Sequence, residues 1–220
     1  MGAVNEKISI KEKLGYGAGD LACNLVYASI SSYLLFFYTD VFGLASGVAA
    51  FMFFIVRIID AVVDPIVGII VDKTNTKYGK FRPFLLYGAI PFVILAILCF
   101  STPQLGETEK TIYAYGTYIA LSVCYTFVNV PYGALTSAMT QDQHESVSVT
   151  TYRTFLANIG QVVVAFFVPF LAGIFSRSMS LSQSWQITMV IIGVVGGVLL
   201  LVSFKTTTER VRVPSSHTEI

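Results

Sequence analysis

Six apolar runs, each close to or beyond the length of a bilayer crossing, set the limits on what this chain can fold into. They extend approximately from Leu14 to Phe42, Ser46 to Val71, Phe84 to Ser101, Ile112 to Met139, Thr151 to Phe175 and Ser184 to Phe204. A spanning helix needs about 20 predominantly apolar residues to cross a hydrocarbon layer of roughly 30 Å. Inside lipid every backbone N–H and C=O must find a partner within the protein, so runs of this kind are expected to be helical. Only 12% of the residues are charged and 55% are hydrophobic, against about 25% charged in an average soluble domain, and the mean hydropathy is +0.71. These values exclude an ordinary soluble fold. The expected architecture is an all-α membrane protein with one six-helix bundle over 14–204, a short cytoplasmic N-terminus at 1–13 and a cytoplasmic segment at 205–220. Several runs are longer than a bilayer requires, which implies tilt or kinks, and Pro65, Pro131 and Pro169 supply places to bend.

Orientation follows from the basic residues. With six spans the two termini share a side, and that side takes Lys7, Lys11, Lys13, Lys73, Lys77, Lys80, Arg82, Lys205, Arg210 and Arg212, whereas the opposite loops hold Lys110 and Arg177. Both termini and the 72–83 loop are therefore expected in the cytoplasm of a cell whose plasma or inner membrane holds the protein. The bias rests on those segments, since the connection after the fourth run has no Lys or Arg before Arg153. The N-terminal stretch has no short apolar core followed by a small-residue cleavage site, so no cleaved signal is expected. Net charge is +1, and with its cations confined to connections the chain presents no basic face for nucleic acid. Cys23, Cys99 and Cys124 stand singly at no metal-ligand spacing and read as small buried hydrophobes. Trp185, at the edge of the last run, suits an interfacial aromatic belt.

Ionised residues inside these runs need a reason. An Asp, Lys or Arg at the bilayer centre costs roughly 2.5–3.5 kcal/mol on insertion scales. Arg57, Asp60 and Asp64 interrupt the second run at spacings of three and four residues, which puts them on one helix face. Two carboxylates one turn apart repel, so one stays protonated or both share a cation. One Arg57 salt bridge holding helices in register uses one acid and leaves the other unexplained. Proton or sodium exchange at the pair would shift a conformational equilibrium. In the fourth run Tyr125, Asn129 and Tyr132 share a face with Thr126 beside it. That set suits a sugar-like ligand, although the same residue types also join helices. Asp20 lies among glycines at 15, 17 and 19, which permit close helix packing or a cavity. It reads equally as an acceptor for ligand hydroxyls or as a solvated helix-end charge. Arg153 reads as a snorkelling boundary residue or as a partner of Asp20 or of ligand; Asn158 and Gln161 are weaker additions. Asp40, Glu107, Glu109 and His144 read as loop charges. No nucleophile–base pair, metal cluster or phosphate-cradling loop stands out, so no enzyme and no cofactor is expected, and no repeated filter segment suggests a channel.

Gly68, Asp72, Lys73, Gly79, Lys80 and Arg82, in GIIVDKTNTKYGKFR, resemble the cytoplasmic loop between the second and third helices of major facilitator transporters, where acid and base latch helix ends. With GYGAGD at 15–20, FYTDVFGL at 37–44, RIIDAVVDP at 57–65 and PYGAL at 131–135, the chain resembles the glycoside-pentoside-hexuronide:cation symporter family across almost its whole length. The resemblance implies sugar or glycoside symport driven by sodium, lithium or protons. It assigns Asp60, Asp64 and Thr126 to the cation, and Asp20, Tyr125 and Arg153 to the sugar; Arg57, by its place on the same helix face, is expected to be the electrostatic partner of the acids, while Asn129 takes the place of an acid in the melibiose carriers of the family, and Gly133 that of a tryptophan. Val63 stands where sodium-using members have an asparagine, which favours the proton over sodium as coupling ion. The family has twelve helices in two halves with substrate between them, so the chain is expected to be an N-terminal half. Its second half would be a separate chain, a second copy of itself, or lost by truncation. The competing reading is a six-helix membrane protein that does not transport, either a sensor or an inactive fragment.

Overall fold

The computed structural model describes residues 7–211, so Arg212 and the outer parts of 1–13 and 205–220 lie outside the described residues. Six α-helices follow in order: α1 (Ile10–Ser29), α2 (Ser46–Lys73), α3 (Arg82–Cys99), α4 (Glu107–Met139), α5 (Gln143–Phe175) and α6 (Leu181–Thr206). Two π-helical segments, Ile30–Leu34 and Phe37–Val41, continue the first run beyond α1. Among the described residues there is no strand, only an isolated bridge between Thr76 and Gly79. Helices α3 to α6 are each long and apolar enough to cross a membrane; α2 carries Arg57, Asp60 and Asp64 along its middle.

The helices outrun the apolar runs because polar caps extend them. Asp142 accepts hydrogen bonds from the backbone N–H groups of His144 and Glu145 at 2.7 and 3.1 Å and so starts α5 well before Thr151. The Ser180 hydroxyl accepts from Gln183 N while the Gln183 amide accepts from Ser180 N, a reciprocal cap that starts α6. Glu107, Glu109 and His144 thus belong to first helical turns rather than to loops. Pro65, Pro131 and Pro169 lie inside helices as expected, and so does Pro91.

Successive helices alternate in direction. Ile8 N donates to Glu145 at the start of α5, the Arg82 guanidinium reaches Phe204 O at the finish of α6, and Tyr115 near the start of α4 donates to Val48 O at the start of α2. Helix α1 packs against α5 and α6, α3 against α4 and α6, and α2 against α4. The α1–α5 seam is tight enough to require glycine: a Cβ on Gly17 would stand 2.6 Å from Leu156 Cδ1 and 3.0 Å from Tyr152 O. The larger apolar core centres on Leu25, Leu34, Phe37, Met52, Phe92 and Phe100. Trp185 is not turned out to a belt: it is only 6% exposed and stacks on Phe100. Cys23 and Cys99 are buried, while Cys124 is half-buried on the α3–α4 side.

The basic end of the bundle, where α1 begins and α6 finishes, is cross-strapped by charge. Glu12 receives both Nη groups of Arg210 at 2.7 and 2.8 Å, and Lys13 meets Glu145 at 2.8 Å. Asp72 accepts from Lys80 at 2.8 Å, which ties the finish of α2 to the entry of α3, while Lys73 is exposed and Gly68 half-buried on α2. Gly79 has φ +106°, a left-handed conformation that favours glycine, and it lies under the Glu209 carboxylate, which accepts from the N–H groups of Lys80, Phe81 and Arg82 at 2.7–2.9 Å. A carboxylate at a helix N-terminus satisfies orphan donors and opposes the helix dipole. Glu209→Ala is therefore expected to lower stability by about 1–2 kcal/mol, read as a lower thermal midpoint of the purified chain in detergent, with Glu209→Gln falling in between.

Candidate functional site

Helices α2 and α4 lie side by side with matching polar registers. Asp60 and Asp64 stand one turn apart on α2, and Ser122 and Thr126 stand one turn apart on α4. The Ser122 hydroxyl donates to Asp60 Oδ1, and the Thr126 hydroxyl donates to Asp64 Oδ1 at 3.0 Å. Thr126 is only 4% exposed. Asp64 lies exposed on the open face of the half-bundle. Val63, by contrast, turns toward the core at the basic end and offers no oxygen.

Arg57 completes this cluster from the next turn of α2. Its Nη1 lies 3.5 Å from Asp60 Oδ2 and its Nη2 donates to the Tyr27 hydroxyl at 3.0 Å. The Tyr27 ring stacks on Tyr125 at 4.9 Å between centroids and 19° between planes. A cavity of about 170 Å³ opens here, lined by Tyr27, Arg57, Asp60, Asp64, Ser122 and Tyr125 among others, and Asn129 reaches the same space.

A second polar stripe runs along the α1–α5 seam. Arg153 Nε and Asp20 Oδ2 form an ion pair at 3.3 Å, yet that Nε makes no aligned hydrogen bond. Asn24, one turn beyond Asp20, donates to Asp20 O and Oδ1 at 2.9 and 3.3 Å and accepts from Gln161 at 3.3 Å. Below the stripe Tyr16 and Tyr132 stack at 4.6 Å, each hydroxyl donating to the other's carbonyl oxygen, at 3.0 and 2.6 Å. Tyr132 is thus fully occupied in joining α1 to α4. Asn158 is exposed on a different part of α5, beside Thr151 and Phe155.

The residues singled out by the sequence therefore form two neighbouring groups: Arg57, Asp60, Asp64, Thr126, Tyr125 and Asn129 around the α2–α4 cavity, and Asp20 with Arg153 on the α1–α5 stripe. Tyr27 bridges them, being one turn from Asn24 on α1 and in contact with both Arg57 and Tyr125. Sequence reasoning missed Ser122, Tyr27 and Asn24. A usable signal existed for each: Ser122 precedes Thr126 by the same four residues that separate the acids, and Tyr27 and Asn24 follow Asp20 by seven and four.

Such an arrangement, ionised groups on a face left open inside a bundle of long apolar helices, marks a functional site in a multi-pass membrane protein. The chain belongs to the MFS/sugar transport protein family, whose model matches residues 15–219. It is 58% identical over 98% of its length to the uncharacterized symporter YnaJ of Bacillus subtilis (strain 168), covering 47% of that protein. It is 43% identical to the putative glycoside/cation symporter YagG of Escherichia coli (strain K12), over 93% of this chain and 44% of the relative. It is 36% identical to the isoprimeverose transporter of Lactiplantibacillus pentosus, over 95% and 44%. The chain spans about half the length of the curated relatives it matches.

Proposed function

We propose that the chain is the N-terminal, six-span half of a cation-coupled sugar or glycoside symporter, oriented with both termini in the cytoplasm. The observation that carries this reading is the opposition of Asp60 and Asp64 to two hydroxyls beside a cavity that also holds ring faces and an amide. Asp60 and Asp64 carry the coupling ion, with Thr126 as a further oxygen and Arg57 as the positive partner that keeps Asp60 in place. A proton needs only the carboxylates, and Val63 contributes no oxygen, so the proton is the ion the site carries in its simplest form. Asp20, Tyr125, Asn129 and Arg153 bind the sugar: carboxylate and amide take hydroxyl groups, the Arg153 guanidinium donates, and the Tyr27–Tyr125 stack covers an apolar sugar face. A second six-helix half closes the site and supplies the body against which this one rocks.

The test is uptake into membrane vesicles bearing this chain alone, and this chain joined to the C-terminal half of its Bacillus subtilis relative. Isoprimeverose, named for one relative, is the first trial substrate. Accumulation driven by a pH or sodium gradient in the joined protein is expected; binding without any uptake in both would support the sensor reading instead. Asp20→Asn leaves the Arg153 cation without its partner and removes an acceptor, and is expected to weaken sugar binding at least about tenfold, measured as the concentration for half-maximal uptake.

A further inference from the structure

The Ser122 hydroxyl on α4 donates a hydrogen bond to Asp60. It repeats on α4 the relation that Thr126 has to Asp64, so the two helices present acid opposite hydroxyl in two successive layers. A hydroxyl carries one proton and two lone pairs and rotates to suit its neighbour. Facing a lone carboxylate it donates, as in this structure. Facing a cation held between the carboxylates it turns its proton away and offers a lone pair.

We propose that Ser122 Oγ is a ligand of the coupling ion and admits an alkali cation to the site in competition with the proton. This rests on the reading of Asp60 and Asp64 as the ion-carrying pair. Hard cations bind through several oxygens, and the two layers supply four side chains with oxygen: Asp60, Asp64, Ser122 and Thr126. The α2 side offers no further neutral oxygen, because Val63 faces the core. Ser122 is therefore what separates a site limited to proton exchange from one that also coordinates sodium or lithium. The titratable and charged groups facing the pair are Arg57 on α2, Tyr118 and Tyr125 on α4 and Tyr27 on α1. Arg57, fixed by Asp60 and Tyr27, provides a constant positive charge that keeps a second full charge from binding too tightly to leave.

The test uses the purified 220-residue chain in detergent, because an ion that binds the folded state raises its thermal midpoint. Sodium or lithium chloride is titrated against choline chloride at fixed ionic strength, at pH 8 and pH 6. The unaltered chain is expected to be stabilised by sodium or lithium and not by choline. Ser122→Ala is expected to raise the half-saturating alkali concentration at least about tenfold, and Ser122→Thr, which keeps the hydroxyl, to hold it within about threefold. An unchanged alkali titration in Ser122→Ala overturns the proposal and leaves the acid pair standing. No alkali response in the unaltered chain also overturns it. If neither alkali nor pH acts, and Asp60→Asn with Asp64→Asn changes nothing either, the reading of the acid pair itself fails.

Discussion

Replacing Asp60 and Asp64 together by asparagine is expected to reduce gradient-driven sugar accumulation from tens-fold to the equilibrium level. One elementary charge moving through 100 mV releases about 2.3 kcal/mol, which supports roughly 50-fold accumulation of a sugar moved with it. Without a group that gains and loses the ion, that free energy has no path to the sugar. The asparagines keep shape and can still accept hydrogen bonds from Ser122 and Thr126, so the bundle is expected to fold and insert as before. Exchange of labelled for unlabelled sugar across the vesicle is less informative, since it requires no net ion movement. Accumulation ratio under a pH gradient, with membrane content of the variant checked alongside, is the measurement. A variant that still concentrates sugar would remove the acids from their role.

The largest structural effect is expected from Gly17→Val. A Cβ at position 17 would meet the Tyr152 carbonyl oxygen at 3.0 Å and Leu156 at 2.6 Å, and the branched side chain adds further atoms in the same direction. Leu156 can move, but the Tyr152 backbone cannot without shifting α5, and α5 carries Arg153 on the next residue. The expected cost is about 3 kcal/mol or more, together with loss of sugar binding through displacement of Arg153 from Asp20. Thermal unfolding and sugar affinity of the same variant check both. Gly116→Val, where an added Cβ meets nothing within 4 Å, serves as the tolerant comparison.

How far the sequence carries can be judged residue by residue. Among the described residues each apolar run coincides with helix, because lipid leaves the backbone no alternative, although the first run divides into α1 and two π-helical segments and only α3 to α6 have the length and apolarity of a membrane crossing. Helix ends were less legible: α5 begins at Gln143 rather than near Thr151 because Asp142 caps it, and a cap outside the apolar run has no hydropathy signal. For Arg153 the sequence leaves open a snorkelling position, a pairing with Asp20 and a contact to ligand; the ion pair with Asp20 becomes visible only once α1 and α5 are known to pack at glycine contact. Tyr132 shared a helix face with Tyr125 and Asn129, yet its hydroxyl is consumed by Tyr16 O, a contact that requires knowing which helix lies opposite. Ser122 was overlooked because a serine in a membrane helix carries little compositional signal. Its four-residue spacing from Thr126 repeats that of the acids, and that match gains its meaning from the register of α4 against α2. Glu209 lies past the last apolar run, where nothing in its neighbours announces that it caps α3.

Asp60 and Arg57 also show how the two polar groups can influence one another. Arg57 divides its donors between Asp60 and Tyr27, and Tyr27 lies flat on Tyr125. An ion that neutralises Asp60 weakens its hold on Arg57, and the guanidinium then binds Tyr27 more exclusively. A physical link of three contacts thus connects the acids to the aromatic wall of the proposed sugar site, and coupling of this kind is reciprocal.

The most direct measurement of the central claim, that the α2 acids carry the ion that enters with the sugar, is the ion flux that accompanies sugar entry into de-energised vesicles bearing the joined protein, followed with pH and sodium electrodes. Addition of a transported glycoside is expected to draw protons or alkali cations inward with the unaltered chain and none with Asp60→Asn/Asp64→Asn. Sugar entry without any ion flux in the unaltered protein, or an undiminished flux in the double variant, would contradict it.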